Sequence, residues 1–233
     1  ANGYGHGATE ISPTLARAGA DAFGVATLEE AVQLREAGIQ APLIVLAGVF
    51  PAQLDTFVEY KLTPVVHDLI SLKALDRESS RRQVQLKVHL KVDTGMGRLG
   101  FLAAEADQWI AAIKQSESLH IQGVFSHFSH AESVQGDYTQ KQLEIFKRVL
   151  GQLRSAGVVP DLVHLANSAA TITLPAAYFD MVRPGLMLYG VYPSPNMKEQ
   201  INLKPALSWK TKILQLKNVP SGTSVSYGQT YVT

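Results

Sequence analysis

The string Lys91-Val92-Asp93-Thr94-Gly95-Met96-Gly97-Arg98 places an amine, a carboxylate and a guanidinium around a glycine turn. Glycine permits backbone angles that other residues resist, so the turn can deliver Arg98 to the end of the segment that carries Lys91 and Asp93. Read plainly, the same residues are a Lys–Asp pair on a solvated strand. Ser168, in Asn167-Ser168-Ala169-Ala170, opens a helical turn, where a hydroxyl and free backbone N–H groups suit a phosphate dianion. A helix cap is the alternative for that serine. His127 and His130 are metal-ligand types at close spacing, but no third ligand lies near them in the sequence.

These groups need a scaffold. Leu86, Val88, Leu90 and Val92 alternate with Lys87, His89, Lys91 and Asp93, the period-two pattern of a strand with one greasy and one charged face. Short apolar strands are also expected at Ala22 to Ala26, Leu43 to Ala47, Pro64 to His67, His120 to Phe128, Leu162 to Leu165 and Met181 to Pro184. Helical patterns separate them from Thr9 to Gly19, Leu28 to Gly38, Pro51 to Lys61, Leu69 to Arg82, Ala103 to Gln115 and about Tyr138 to Gly157, with a helical turn from Ser168. Such alternation implies buried parallel strands. With one strand ahead of Ala1 the set reaches eight, which makes an α/β fold of the (β/α)8 TIM-like barrel type. In barrels of this kind the loops after strands seven and eight often hold phosphate, and here they carry Asn167-Ser168 and Arg183-Pro184-Gly185-Leu186.

After Gly190 the texture changes. Pro193, Pro195 and Pro205 mark a linker, and Ser208 to Leu216 alternates like an antiparallel strand, so residues 193–233 read as a linker and the start of a mainly β domain after a barrel domain at 1–192. A length of 233 residues suits one large domain or two ordinary ones. A net charge of +1 with dispersed basic residues gives no electrostatic footprint for nucleic acid. With no cysteine there is no disulfide or thiolate chemistry, which is compatible with the cytoplasm. No apolar run approaches the ~20 residues that span a bilayer, and no signal peptide opens the sequence.

Lys-Val-Asp-Thr-Gly-Met-Gly-Arg-Leu-Gly resembles a signature of alanine racemases, and five further strings fall in the same order. They are Ala1-Asn2-Gly3-Tyr4-Gly5-His6-Gly7, Phe125-Ser126-His127, His164 to Ala170 and Arg183 to Gly190, with Val225-Ser226-Tyr227-Gly228 near the end. The resemblance implies a pyridoxal 5'-phosphate enzyme that interconverts L- and D-alanine, supplying D-alanine for bacterial peptidoglycan. It implies that Tyr4, Ser168, Gly185 and Leu186 hold the cofactor phosphate, and that Arg183 faces the pyridine nitrogen. It also implies that Arg98 meets the cofactor's phenolic oxygen and the substrate carboxylate, positioned by Lys91, whose counterpart in the family is often carbamylated. His127, His164 and Asn167 support these groups from behind.

Racemisation takes the α-proton from one face and returns it on the other, which calls for two bases. By the same resemblance one is Tyr227, acting in the partner's site of a homodimer, and the other is the cofactor-bearing lysine, which would precede Ala1. A tyrosine in a glycine turn is otherwise a packing residue. No metal is implied. The residues leave open a serine or broad-specificity racemase, and a barrel that carries the cofactor without catalysis.

Overall fold

The structure, a computed structural model, describes residues 2–132 and 137–233; Ala1, which opens the glycine-rich start, lies outside them. Helices and strands alternate: α1 Ala8–Arg17, β1 Phe23–Val25, α2 Leu28–Glu36, β2 Leu43–Val45, α3 Leu54–Glu59, β3 Thr63–Val66, α4 Leu69–Arg81 and β4 Leu86–Asp93. Then follow β5 Phe101–Leu102, α5 Ala106–Lys114, β6 Leu119–Phe125, α6 Asp137–Ser155, β7 Leu162–His164 and α7 Ser168–Thr173. A hairpin of β8 Ser224–Val225 and β9 Tyr231–Val232 stands near the end.

Local chemistry accounts for the boundaries. Thr27 and Glu30 form a reciprocal capping box at the start of α2. Asp68 caps α4 by accepting the Ser71 N–H at 2.7 Å. The guanidinium of Arg35, on α2, donates to the carbonyls of Ile39, Ala41, Tyr60 and Lys61, clasping the loops that lead into β2 and β3.

The strands pair in parallel in the order β1-β2-β3-β4-β6-β7, with the short β5 beside the end of β4. A parallel bridge from His164 to Met181 continues the order at the far edge. Between neighbours in that main order each crossover carries a helix, while a glycine turn alone joins β4 to β5. The strands β2 and β3 are buried throughout, and the outer face of the curled sheet packs on Leu34, Phe57, Leu72, Trp109 and Phe146 from the helices. This is the expected (β/α)8-type barrel architecture.

Two expectations change. The charged face of β4 is not solvated: His89 and Lys91 are buried, and only Lys87 at the strand's start is exposed. In a barrel the second face of each strand looks into the interior, so alternation there separates core from lumen rather than core from water. Ser208 to Leu216 forms no strand; Trp209 is 90% exposed and Leu214 97%. A strand exists only when a neighbour takes its backbone hydrogen bonds, and no described segment lies alongside this one. Among the described residues no helix is long and apolar enough to cross a membrane.

Candidate active site

The charged ends of β4, β6 and β7 and the residues after Met181 converge at the carboxyl end of the sheet. Arg183 is at their centre. Its guanidinium donates to His164 Nδ1 at 2.7 Å, to the Ser126 carbonyl at 2.6 Å and to the Leu165 carbonyl at 3.0 Å, and approaches His127 Nδ1 at 3.3 Å. Its Cζ lies 5.1 Å from the centre of the Phe125 ring.

A guanidinium has only donors, so His164 Nδ1 must accept. A neutral His164 then carries its proton on Nε2 and donates it to His89 Nδ1, 2.9 Å away. The contact sets both tautomers in one chain from Arg183 through His164 to His89. Gly123, opposite His89, makes the chain possible, because a Cβ there would collide with the His89 ring.

Burial and the charge of Arg183 keep all three imidazoles neutral. Desolvation first, with Arg183 second, pushes His127 down to about 3 and His164 well below its ordinary value. Desolvation also takes His89 to about 4, against a hydrogen bond with Gln122 that raises it. Between pH 6.5 and these values the unfolded chain binds more protons than the folded one, so stability falls as pH drops through that window. Urea midpoints are expected to fall between pH 6.5 and 5, above the range where carboxylates titrate; a flat profile would contradict neutral buried histidines.

Desolvation also lowers Arg183 to about 10. Lys91 is pushed down to about 8, by desolvation first and then by the charges of Arg98 and Arg183, against Asp93. Among the described residues no ion pair reaches Lys91, Arg98 or Arg183. Asp93 does not neutralise them: its carboxylate accepts the N–H groups of Gly95, Met96 and Gly97 at 2.8 to 3.1 Å and so shapes the turn that ends in Arg98. The result is a cluster of cationic groups with no ion-paired carboxylate among the described residues.

A second cluster adjoins it. Ser168 Oγ accepts from Gly185 N at 2.9 Å and Met187 N at 3.3 Å, with Leu186 between them. Asn167, not Ser168, caps α7, accepting the Ala170 N–H at 3.0 Å, which removes the cap reading for the serine and commits the asparagine side chain to the helix. The Tyr4 hydroxyl lies so close over Gly185 that a Cβ there would strike it. The tyrosine ring packs 5.3 Å from that of Tyr189. Hydroxyls and backbone N–H groups, with no carboxylate among them, fit a phosphate dianion.

Of the residues read from the sequence, the structure brings Tyr4, Ser168, Gly185 and Leu186 into one cluster and Lys91, Arg98, His127, His164 and Arg183 into the other, joined through the Arg183 to Gly185 segment. Tyr227 belongs to neither; it is 99% exposed. Sequence reading assigned no role to His89, Ser126 or Phe125. A glycine interrupting an apolar strand at Gly123 was the available signal for His89.

A sequence profile described as alanine racemase, N-terminal domain, matches residues 1–193. The chain belongs to the alanine racemase family. The alanine racemase of Carboxydothermus hydrogenoformans is 43% identical over 100% of this chain and 63% of its own length. Among solved structures, the alanine racemase of D-cycloserine-producing Streptomyces lavendulae is 35% identical with a TM-score of 0.92, covering 100% of this chain and 62% of that one. The alanine racemase of Clostridium difficile 630 is 34% identical with a TM-score of 0.88, over 61% of its length. The chain thus spans less than two thirds of the alanine racemases it matches.

Proposed function

We propose that the intact protein is a racemase interconverting L- and D-alanine, with pyridoxal 5'-phosphate, the family's cofactor, at the mouth of the barrel. One observation carries the reading: Arg183 is held entirely by neutral acceptors. When bound, the cofactor supplies an electron sink that acidifies the substrate's α-hydrogen. An always-charged guanidinium without a counter-ion, set against the pyridine nitrogen, discourages protonation there and moderates that sink. Moderation favours return of the proton over transamination.

The other roles are assigned from this chain's own groups. Tyr4, Ser168 and the backbone of Gly185 and Leu186 hold the phosphate; Arg98 takes the substrate carboxylate and the phenolic oxygen. Lys91, held near pH 8 by burial, keeps a neutral amine fraction that can add carbon dioxide, and a carbamate there would supply the missing anion beside Arg98. His127, His164 and, through its helix cap, Asn167 keep these groups in place. On one face Tyr227 Oη moves the proton; on the other a lysine just ahead of Ala1 does so.

Tyr227 reaches the site of a partner subunit in a homodimer. Support comes from the exposed apolar side chains of residues 193–233, Trp209, Ile213, Leu214 and Leu216 among them, which a further β domain and a second subunit would cover. Residues 1–192 would then form the cofactor-binding barrel. We place the enzyme in the bacterial cytoplasm, supplying D-alanine to peptidoglycan.

The test uses the full-length, cofactor-loaded protein with L-alanine, L-serine and L-lysine, following D-products by chiral chromatography. Alanine is expected to turn over fastest; cofactor absorbance without any D-alanine would overturn the reading and leave a carrier. Faster serine turnover would move the substrate assignment. Intact mass before and after acid treatment is expected to show a labile gain of one carbon dioxide at Lys91, absent in Lys91→Arg.

A further inference from the structure

Gln142 lies in α6, wholly buried, and the hydrogen bonds of its side-chain amide all go to groups outside that helix. Its Oε1 accepts from the backbone N and the hydroxyl of Ser129, both at 3.1 Å. Its Nε2 donates to the His127 carbonyl at 3.2 Å and reaches Thr94 Oγ1 at 3.5 Å. Thr94 in turn bonds Ser126 Oγ at 2.8 Å. One amide thereby ties the segment after β4 to the segment after β6.

A turn earlier on the same helix, the Tyr138 hydroxyl donates to the Gly95 carbonyl at 2.8 Å. Gly95 has φ +128°, and a Cβ there would meet the Tyr138 oxygen at 2.5 Å and Gln142 Cγ at 3.6 Å, so the turn and the helix are fitted closely together. The glycine turn is gripped from both sides: Asp93 holds its N–H groups from the strand, and α6 holds its carbonyl and Thr94 from behind. Arg98 follows directly. On the other segment, the residue whose carbonyl Gln142 holds is His127, whose ring approaches Arg183.

We infer that Gln142, with Tyr138, is a positioning residue that sets Arg98 and His127 relative to one another, so that the carboxylate-binding guanidinium and the support of the pyridine-facing guanidinium share one anchor. The inference rests on the functional reading above for the roles of Arg98 and Arg183. The anchoring geometry does not depend on it. A buried amide with both ends used in this way is more than filling, since an apolar side chain of equal volume would fill the space but leave the Ser129 N–H and the His127 carbonyl without partners.

The experiment compares wild type, Gln142→Met and Tyr138→Phe as full-length, cofactor-loaded enzymes. Three quantities are read: amide exchange at residues 94–98, affinity for acetate as a bare carboxylate followed by the absorbance of the bound cofactor, and KM against kcat for alanine. Gln142→Met is expected to speed exchange of the turn and to weaken both acetate and alanine binding about tenfold, the equivalent of one net hydrogen bond, while cofactor retention stays as in wild type. Tyr138→Phe, which removes one oxygen from an exposed ring, is expected to act in the same direction by about threefold. If Gln142→Met does not fold, the tyrosine variant decides alone. Wild-type acetate affinity, KM and exchange in the folded variants, even with a lower melting temperature, would overturn the inference and leave a purely structural glutamine; so would loss of the cofactor without a change at the turn. Failure of the functional reading looks different: the wild type itself would then form no D-alanine, while the exchange comparison would still judge the anchoring.

Discussion

Replacing Tyr227 with phenylalanine is expected to lower racemisation by about a hundred- to ten-thousandfold, the range in which a positioned acid or base contributes. The phenol stands 99% exposed on its own chain, so its loss removes no contact within the barrel that carries it. Exchange of the α-hydrogen with solvent separates the two bases. With only the opposite base intact, one enantiomer should still exchange its hydrogen while the other does not. Equal turnover in Tyr227→Phe and wild type would remove this tyrosine from the chemistry and leave the second base to another group.

Arg183→Met is the second large effect. The guanidinium satisfies His164 Nδ1 and the carbonyls of Ser126 and Leu165, and a methionine satisfies none of them. Leaving buried acceptors unpaired costs about 1–3 kcal/mol each, so a loss of at least about 3 kcal/mol in urea unfolding is expected. The histidines provide an independent readout. The positive charge of Arg183 contributes to lowering His89, His127 and His164, so its removal should raise all three, visible in nitrogen-15 titrations. Arg183→Glu should shift the product balance from D-alanine toward the keto acid, because an anion at that position favours a protonated ring nitrogen. An unchanged product ratio would contradict the role given to this arginine, and unshifted histidines would contradict the charge network.

The two clusters meet through a short stretch of chain. Arg183 belongs to the cationic pocket and Gly185 to the phosphate cradle, with only Pro184 between them. A change that displaces this stretch should therefore disturb both ends of the cofactor. The bridge from His164 to Met181 and the Arg183 N–H bond to the Ala166 carbonyl at 2.9 Å fix it to the end of β7.

Much of the barrel was legible in the residues, because a parallel strand buried on both sides writes itself as a short apolar run and the helical patterns between such runs have the length of crossovers. The Lys91 to Arg98 string and the segments around Ser168 and Arg183 were legible as places where chemistry could gather. Burial of Lys91, the neutral state of His127 and the link from Arg183 through His164 to His89 were not, since each depends on which strand lies beside which. Residues 208–216 make the converse point: alternation proposed a strand, and without an adjacent strand the backbone formed none. Local pattern thus decided which segments pair, cap and turn, because those preferences act within a few residues. Only the pairing and curling of the sheet decided which polar groups lose water and face one another, because desolvation and charge coupling act between residues such as His89 and His164 that are distant along the chain and in contact across it.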